Sequence, residues 1–241
     1  MKHILKYFSM LSSLFTKPEK YSMYTKEVVR QMNNIGVGSL VIVGVISIFV
    51  DAVTAIQFAY QMEGSFLPTY MLGFIVRDGM IIELAPTLSC LVLAGKVGSN
   101  IASELGTMRI TEQIDALEIM GINSANYLIS PKLIAAVLIV PPLIIIAAFL
   151  GIYGGYLSAQ MYGIPPSLYR YGLLYLFDPF NGVIMIIKAI VFAFLITSVA
   201  CYEGFYVKGG AIEIAQASTR AVVHGSILVI LSDYILAVLL T

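Results

Sequence analysis

Residues 94–124 read AGKVGSNIASELGTMRITEQIDALEIMGINS, and this stretch decides how the chain can be laid out. It is too polar to lie in lipid, and its charged residues recur at helical spacing. The apolar runs on either side are each near the roughly 20 residues needed to cross a bilayer. The pattern therefore predicts a membrane protein that carries a helical, water-exposed segment between two of its spans.

The composition of the whole chain agrees with this interpretation. Hydrophobic residues make up 59% and charged residues 12% of the 241 residues, and the mean hydropathy is +0.90. Soluble domains carry about 25% charged residues, so this chain cannot cover a water-facing surface. Its net charge is zero and it has no basic tract, which argues against binding to nucleic acid.

Five apolar segments are long enough to span the membrane. They run approximately over 35–60, 72–95, 133–160, 183–206 and 217–240. Because backbone polar groups must be satisfied inside lipid, these segments are predicted to be helices, which gives an all-α integral membrane fold. We expect one five-span membrane domain over 34–241, with a polar segment over 96–131, called the coupling segment below, between its second and third spans. The odd number of spans and the lack of an internal repeat argue against paired inverted repeats.

Residues 1–33 are predicted to lie at the membrane surface as amphipathic helices. The apolar side chains of the first helix share one face, and its two lysines lie off that face; the residues are Ile4, Phe8, Leu11 and Phe15 against Lys2 and Lys6. A break at 17–20 precedes a second amphipathic stretch over 21–33. A signal peptide is the alternative, but Lys6 interrupts the apolar core and no small-residue cleavage site follows.

The distribution of Lys and Arg predicts the orientation. Most of these residues precede the first span or lie in the second and fourth connections: Lys2, Lys6, Lys17, Lys20, Lys26, Arg30, Lys96, Arg109, Lys132, Lys208 and Arg220. With five spans, all of them fall on one side, which the positive-inside rule assigns to the cytoplasm. The N-terminus is therefore expected to be cytoplasmic and the C-terminus periplasmic.

The polar segment has the pattern of a docking element. Its apolar residues share one helical face and its acidic residues an adjacent arc: Ile110, Ile114 and Leu117 on the first, Glu112, Asp115 and Glu118 on the second. Gly106 and Gly121 are expected to mark helix ends. A helix lying on the membrane is the alternative, but the negative cytoplasmic leaflet would repel three carboxylates. The acidic arc better fits a basic groove on a partner protein.

Polar residues inside the spans are candidates for a lipid pathway. Asp51, Gln57 and Glu83 lie on the first two spans, and an isolated carboxylate at mid-bilayer costs about 2.5–3.5 kcal/mol. They are predicted to line a lipid cavity, or else to make hydrogen bonds between helices. For Lys188 and Asp233, in later spans, we expect snorkelling or mutual pairing.

Several other residues are expected to be structural. Cys90 and Cys201 are predicted to be small buried hydrophobes rather than a disulfide or metal site. Gly151 and Gly155 form a GxxxG pattern that is typical of close helix packing. Arg220 and His224, one turn apart, are expected to contact the coupling segment.

The chain has no motif for catalysis. Gly95-Lys96 is followed by Val97, without the upstream glycine of a P-loop, so ATP hydrolysis is not expected from this chain. HExxH, CxxC and GxSxG are also missing, and two histidines are too few for a metal site. The sequence therefore predicts no cofactor and no metal.

A set of short motifs resembles the signature of the MlaE family. They are ELAP at 83–86, AGKVGS at 94–99, ELGTM at 104–108, TEQ at 111–113 and EIMG at 118–121. The similarity continues through VRQM at 29–32, NIGV at 34–37, YL at 127–128, PKL at 131–133, TRAVVH at 219–224 and Asp233. It covers roughly residues 25–240 in one unbroken order.

The resemblance implies the membrane permease of an ABC-type transporter that moves phospholipid between the inner and outer membranes and maintains outer-membrane lipid asymmetry. Such permeases form a homodimer in the bacterial inner membrane and bind a cytoplasmic ATPase, which holds the ATP. An MCE-domain lipid-binding protein, and in some systems a STAS-domain protein, completes the assembly. By this resemblance the coupling residues would be Glu104, Arg109, Glu112, Asp115 and Glu118.

One position departs from the family pattern. The family commonly has Arg-Glu-Leu-Gly-Pro in the second span, whereas this chain has Ile82-Glu83-Leu84-Ala85-Pro86. If the family Arg and Glu hold a lipid head group, that contact is weakened here or supplied by another residue. Two alternatives remain open: a membrane-embedded lipid-modifying enzyme that uses Glu83 and Asp51 as acid and base, and a scaffold that only anchors partners. The missing nucleophile and metal motifs count against the enzyme.

Overall fold

The computed structural model of the chain describes residues 2–14, 21–63 and 68–240, and these are almost entirely helical with no strand among them. The α-helices are α1 (Lys2–Ser13), α2 (Tyr21–Met32), α3 (Gly38–Met62), α4 (Met71–Gly79), α5 (Ala85–Leu93), α6 (Ser99–Ile110), α7 (Gln113–Ile119), α8 (Ser124–Met161), α9 (Pro166–Leu174), α10 (Pro179–Phe205) and α11 (Ala211–Leu240). Phe15 and the predicted break at 17–20 lie outside the described residues.

Five helical stretches within the described residues are long and apolar enough to cross a membrane: Tyr24–Met62, Met71–Ile110, Ser124–Met161, Pro179–Phe205 and Ala211–Leu240. The predicted all-α fold with five spans is therefore confirmed. The helices nevertheless extend beyond the predicted spans. A helix continues past the membrane wherever packing supports it, and hydropathy alone does not detect such an extension.

The second span shows this most clearly. It runs to Ile110 instead of ending at 95, because α4, α5 and α6 are joined end to end by π-helical turns at Met80–Leu84 and Ala94–Gly98. Helix α6 packs against α10 and α11 with Ile101 and Leu105 fully buried. The first part of the predicted coupling segment is thus an extension of a spanning helix.

Helix α8 is the longest helix and packs along α3. The Asn123 side chain caps its start by accepting a hydrogen bond of 3.1 Å from the Asn126 backbone N–H. A Cβ atom placed on Gly154 would lie 2.4 Å from the carbonyl oxygen of Ile48, so the two backbones touch. The GxxxG residues pack closely as well: a Cβ on Gly151 would meet Met80, and one on Gly155 would meet Asp51.

Helix α1 packs on the bundle through Tyr7 and Met10, which are not on the predicted apolar face. Met10 is buried, and the Tyr7 hydroxyl lies 2.7 Å from the Ser198 hydroxyl of α10. Phe8, on the predicted apolar face, is 62% exposed. Helix α2 covers the predicted second amphipathic stretch and continues through a π-helical turn, Asn33–Val37, into α3.

Both cysteines are free and fully buried, Cys90 on α5 and Cys201 on α10. The prediction that they act as small core side chains is confirmed.

Candidate functional site

Glu83, Lys188 and Asp233 form a cluster of charges inside the bundle, which we call the polar cluster. The Lys188 ammonium nitrogen lies 2.7 Å from Glu83 Oε2 and 2.6 Å from Asp233 Oδ1. The Thr87 hydroxyl, one turn after Glu83, donates to Asp233 Oδ2 at 3.1 Å. Three spans meet here, because Glu83 lies in the π-helical turn before α5, Lys188 on α10 and Asp233 on α11.

The three charges are unequally buried. The Lys188 side chain is 0% exposed and that of Asp233 11%, whereas the Glu83 side chain is 48% exposed at the protomer surface. Two carboxyl groups face one ammonium, so the polar cluster carries a net negative charge when both carboxyl groups are ionised. Its open side, formed by Glu83, can present a carboxylate to a polar group that approaches from outside the protomer.

The expected pairing of Lys188 with Asp233 is observed, and Lys188 also supplies the basic neighbour that Glu83 lacks in sequence. In place of an arginine at position 82, a lysine from another span balances Glu83. Each of these residues is a lone charge in an apolar run, and that pattern marked all three as residues that need a partner. A single sequence does not show that the three lie next to one another.

Asp51 occupies a different place. It is fully buried on α3, and among the described residues neither of its carboxylate oxygens has a hydrogen-bond partner. A Cβ on Gly155 would lie 2.7 Å from Asp51 Oδ2 and 3.0 Å from the hydroxyl of Tyr169, so both groups point to one spot. Tyr169, on α9, is also fully buried, and burial raises the pKa of its phenol, which keeps the hydroxyl protonated.

Replacing Asp51 should therefore stabilise the protein. An unpaired buried polar group costs about 1–3 kcal/mol, and leucine, with a similar branched shape, removes it. We expect Asp51→Leu to raise the midpoint of thermal unfolding in detergent. Asp51→Asn, which keeps an unpaired polar group, is the matched control and should raise it less. A lower midpoint for Asp51→Leu would show that the carboxylate has a stabilising partner.

The three residues predicted to line a lipid cavity are not gathered into one site within a protomer. Gln57 is exposed on α3, Glu83 is half exposed in the polar cluster, and Asp51 is enclosed between α3, α8 and α9. Contact with lipid stays a prediction for all three. For Asp51 it would need α3 and α8 to part.

Helix α6, which is the end of the second span, and α7 together form a helical hairpin that precedes the third span. Helix α6 ends at Ile110, and Glu112, with a left-handed φ of 57°, starts α7. Gly121, with φ of 78°, follows α7, as expected for a helix end. Gly106 is not a helix end. It lies inside α6, where a Cβ would come within 3.4 Å of Ile214 on α11, so its small size serves packing.

Most of the predicted coupling charges are bound within the chain. Glu104 pairs with the buried Lys132 of α8 at 2.6 Å, and Arg109 pairs with Asp115 at 2.7 Å. Glu118 accepts a hydrogen bond of 2.8 Å from the Ser124 hydroxyl. These contacts hold the hairpin in shape. Their coupling role stays a prediction.

The exposed tip of the hairpin also has an apolar part that the sequence interpretation missed. Ile119 is 87% and Met120 65% exposed at the end of α7, next to the exposed Glu118, and we call this end of α7 the tip. The predicted apolar face turns inward, with Ile114 fully buried. Exposed apolar side chains at a charged tip are typical of a protein-binding surface.

The charged partner of Arg220 and His224 is Glu203 of α10 rather than a residue of the hairpin. Arg220 Nε lies 3.0 Å from Glu203 Oε2, and His224 Nδ1 lies 3.1 Å from Glu203 Oε1. They join α11 to α10. A hydrogen bond also links α11 to α6, since the Ser218 hydroxyl lies 2.7 Å from that of Ser103.

Comparison with known proteins places these features in a family. The model of the family "Permease MlaE" matches residues 28–239. A "Probable ABC transporter permease protein" of Rickettsia bellii is 36% identical over 215 residues, which are 89% of this chain and 83% of the relative. The family match covers the hairpin and nearly the full length of the five spans.

Two further relatives have more specific names. The "Intermembrane phospholipid transport system permease protein MlaE" of Haemophilus influenzae is 32% identical over 97% of this chain and 89% of its own length. The chloroplastic protein TRIGALACTOSYLDIACYLGLYCEROL 1 of Arabidopsis thaliana is 30% identical over 90% of this chain and 62% of its own length.

Proposed function

This chain belongs to the MlaE permease family, and from that premise we propose that it is the membrane subunit of an ABC transporter for phospholipids. The observation that carries the proposal is the polar cluster, since Glu83 keeps its carboxyl group half exposed on the surface of the protomer. A charge in that position needs water or a polar ligand beside it. A water-filled cavity between two copies of the chain would provide both.

In a homodimer, the open side of the polar cluster would face that cavity. A lipid there would place its acyl chains against apolar helix surfaces and its head group near Glu83. Any cationic part of the head group would be attracted to the net negative cluster. The polar cluster would thus contact the head group while the spans solvate the tails.

The test is reconstitution. The chain, purified with its ATPase and placed in vesicles, should move a fluorescent phospholipid only when ATP is present. Glu83→Gln should slow transfer at least tenfold without lowering the amount of folded protein. ATP-independent transfer, or conversion of the lipid to another product, would contradict the proposal.

The energy would come from a separate ATPase that binds the hairpin of α6 and α7. Its exposed tip presents Ile119 and Met120, and apolar anchors in a partner's pocket supply most of the affinity in such contacts. Movement of the ATPase subunits would reach the bundle through Glu104 and Lys132, which tie α6 to α8. A ligand-driven change of this kind requires contacts that differ between the two states.

Replacing both apolar residues of the tip should uncouple the partner. We expect Ile119→Ser with Met120→Ser to lower the amount of co-purified ATPase more than tenfold, because about 1–3 kcal/mol of buried contact is lost at each side chain. The matched control is Met161→Ser, since Met161 is 90% exposed at the end of α8 that is far from the hairpin. Full ATPase recovery with the double variant would refute docking at this tip.

The remaining parts of the assembly follow from the same proposal. An MCE-domain protein would bind on the periplasmic side, and a STAS-domain protein would bind the ATPase. The chain would lie in the bacterial inner membrane with its hairpin in the cytoplasm, and the transporter would maintain the lipid asymmetry of the outer membrane. The orientation can be tested by labelling single cysteines introduced at positions 120 and 171 with a membrane-impermeant reagent. In this orientation the two positions lie on opposite sides of the membrane.

A further inference from the structure

A groove of about 810 Å³ lies where α1, the end of α10 and the start of α11 meet. Lys6, Lys208 and Arg220 line one part of it, and Val199, Ile227 and Leu228 line another. We call it the basic groove. It is separate from the polar cluster, since Arg220 and Asp233 lie 13 residues, about 20 Å, apart along α11.

The basic groove changes from charged to apolar along its length. On α11, Leu228 lies eight residues beyond Arg220, about 12 Å deeper into the span at 1.5 Å per residue. On α10, Val199 lies seven residues before Tyr206, which is about 10 Å in the same direction. The cations are therefore at the level of the membrane surface, and the apolar residues are at the level of acyl chains.

The charged end has an excess of positive charge. Its single carboxylate, Glu203, is only 13% exposed and is already bound by Arg220 and His224. Lys6 lies over the ring of Tyr206, with 5.9 Å between its ammonium and the ring centroid. Lys6 and Lys208 have no carboxylate within salt-bridge distance among the residues that the structure describes. Their ammonium groups are free to bind an anion.

We propose that the basic groove binds an anionic phospholipid from the leaflet at this end of the bundle. The phosphate would lie between Lys6, Lys208 and Arg220, and an acyl chain would run along Val199, Ile227 and Leu228. The excess positive charge favours a net anionic head group over a zwitterionic one, because only the former leaves a negative charge unbalanced. A free phosphate ion would use only the charged end.

Such a lipid would also hold α1 in place. Helix α1 contributes Lys6 and Tyr7 to one wall of the basic groove, and α10 and α11 contribute the others. A bound lipid would bridge α1 to the two last spans through its phosphate. This site would retain its lipid, in contrast to the transported lipid proposed at the polar cluster.

The test uses the full chain in detergent with added phosphatidylglycerol, phosphatidylcholine or inorganic phosphate. Native mass spectrometry counts bound lipids, and a titration gives the apparent affinity. The parent chain should retain phosphatidylglycerol in preference to phosphatidylcholine. Lys6→Gln with Lys208→Gln should weaken the retained phosphatidylglycerol about thirtyfold, given the attraction of each basic residue for an anionic head group. Arg220 is left unchanged because it also binds Glu203.

The control variant is Lys26→Gln with Arg30→Gln, which removes two exposed cations from α2, outside the basic groove. It should leave the affinity within twofold of the parent. Equal weakening by the two variants, or equal retention of both lipids, would overturn the proposal. So would full competition by inorganic phosphate, or a lipid-free dimer whose second copy fills the groove. None of these measurements needs the ATPase, so failure of ATP-driven transfer would leave the result intact.

Discussion

Lys188→Met is expected to destabilise the protein by about 3–5 kcal/mol and to abolish phospholipid transfer. The lysine is completely buried between two carboxylates, at 2.7 Å from Glu83 and 2.6 Å from Asp233. Methionine fills the same space but leaves two negative charges without a counter-charge. Asp233 dominates the cost because its side chain is only 11% exposed, whereas the half-exposed Glu83 can be solvated.

A second variant separates stability from function. Glu83→Gln, Lys188→Met and Asp233→Asn together remove every charge of the polar cluster, and replacing a complete buried ion network is often neutral. We expect this triple variant to recover most of the lost stability, measured as the midpoint of thermal unfolding in detergent, but not the transfer of lipid. Lys26→Met, at an exposed lysine of α2, is the control.

Two results would contradict this account. Unchanged stability of Lys188→Met would show that the two carboxylates do not depend on the lysine. Normal transfer by the triple variant would show that the polar cluster is structural, and that the lipid recognises other residues.

The number of spans could be predicted because hydropathy reports what fits in lipid. The ends of the helices could not, since they depend on contacts outside the membrane. Ile101 and Leu105 lie in a polar stretch, and they are helical and buried because α10 and α11 pack beside them. The π-helical turn at Met80–Leu84, which carries Glu83, leaves no pattern that a count of apolar residues detects.

The polar cluster was partly predictable. A lone charge in an apolar run must find a partner or reach the interface, and the pairing of Lys188 with Asp233 was one of these two expected outcomes. This argument did not find Glu83 as the third member, because 105 residues separate Glu83 from Lys188 and nothing in a single sequence reports which spans are neighbours.

The hairpin shows what a single sequence leaves out. Glu104, Asp115 and Glu118 were predicted to bind a partner, which stays a prediction, and the fold also gives each of them a partner within the chain. Ile119 and Met120 were not part of the predicted apolar face, and they are the exposed apolar residues at the end of α7. Helical periodicity predicts which residues share one face of a helix. It does not predict what that face contacts, because this depends on where the helix ends and how the chain turns.

Gly154→Ala is expected to cost about 3 kcal/mol, at the upper end for overpacking in a core. The added Cβ would lie 2.4 Å from the carbonyl oxygen of Ile48 and 3.0 Å from its Cα atom. Both are backbone atoms of α3, so relief requires the whole helix to move away from α8. Because α3 and α8 share the most extensive helix contact in the described structure, that movement disrupts packing along much of the bundle.

Two other glycines make the experiment a graded series. At Gly151 the added Cβ meets the Met80 methyl at 2.2 Å, but this is the end of a flexible side chain and can rotate away, so Gly151→Ala should cost about 1 kcal/mol. At Gly182, in α10, nothing lies within 4 Å, and alanine should stabilise the helix by about 0.5–1 kcal/mol. The midpoint of thermal unfolding should be highest for Gly182→Ala, intermediate for Gly151→Ala and lowest for Gly154→Ala. A Gly154→Ala midpoint at or above that of Gly151→Ala would mean that α3 and α8 are not in backbone contact in the membrane.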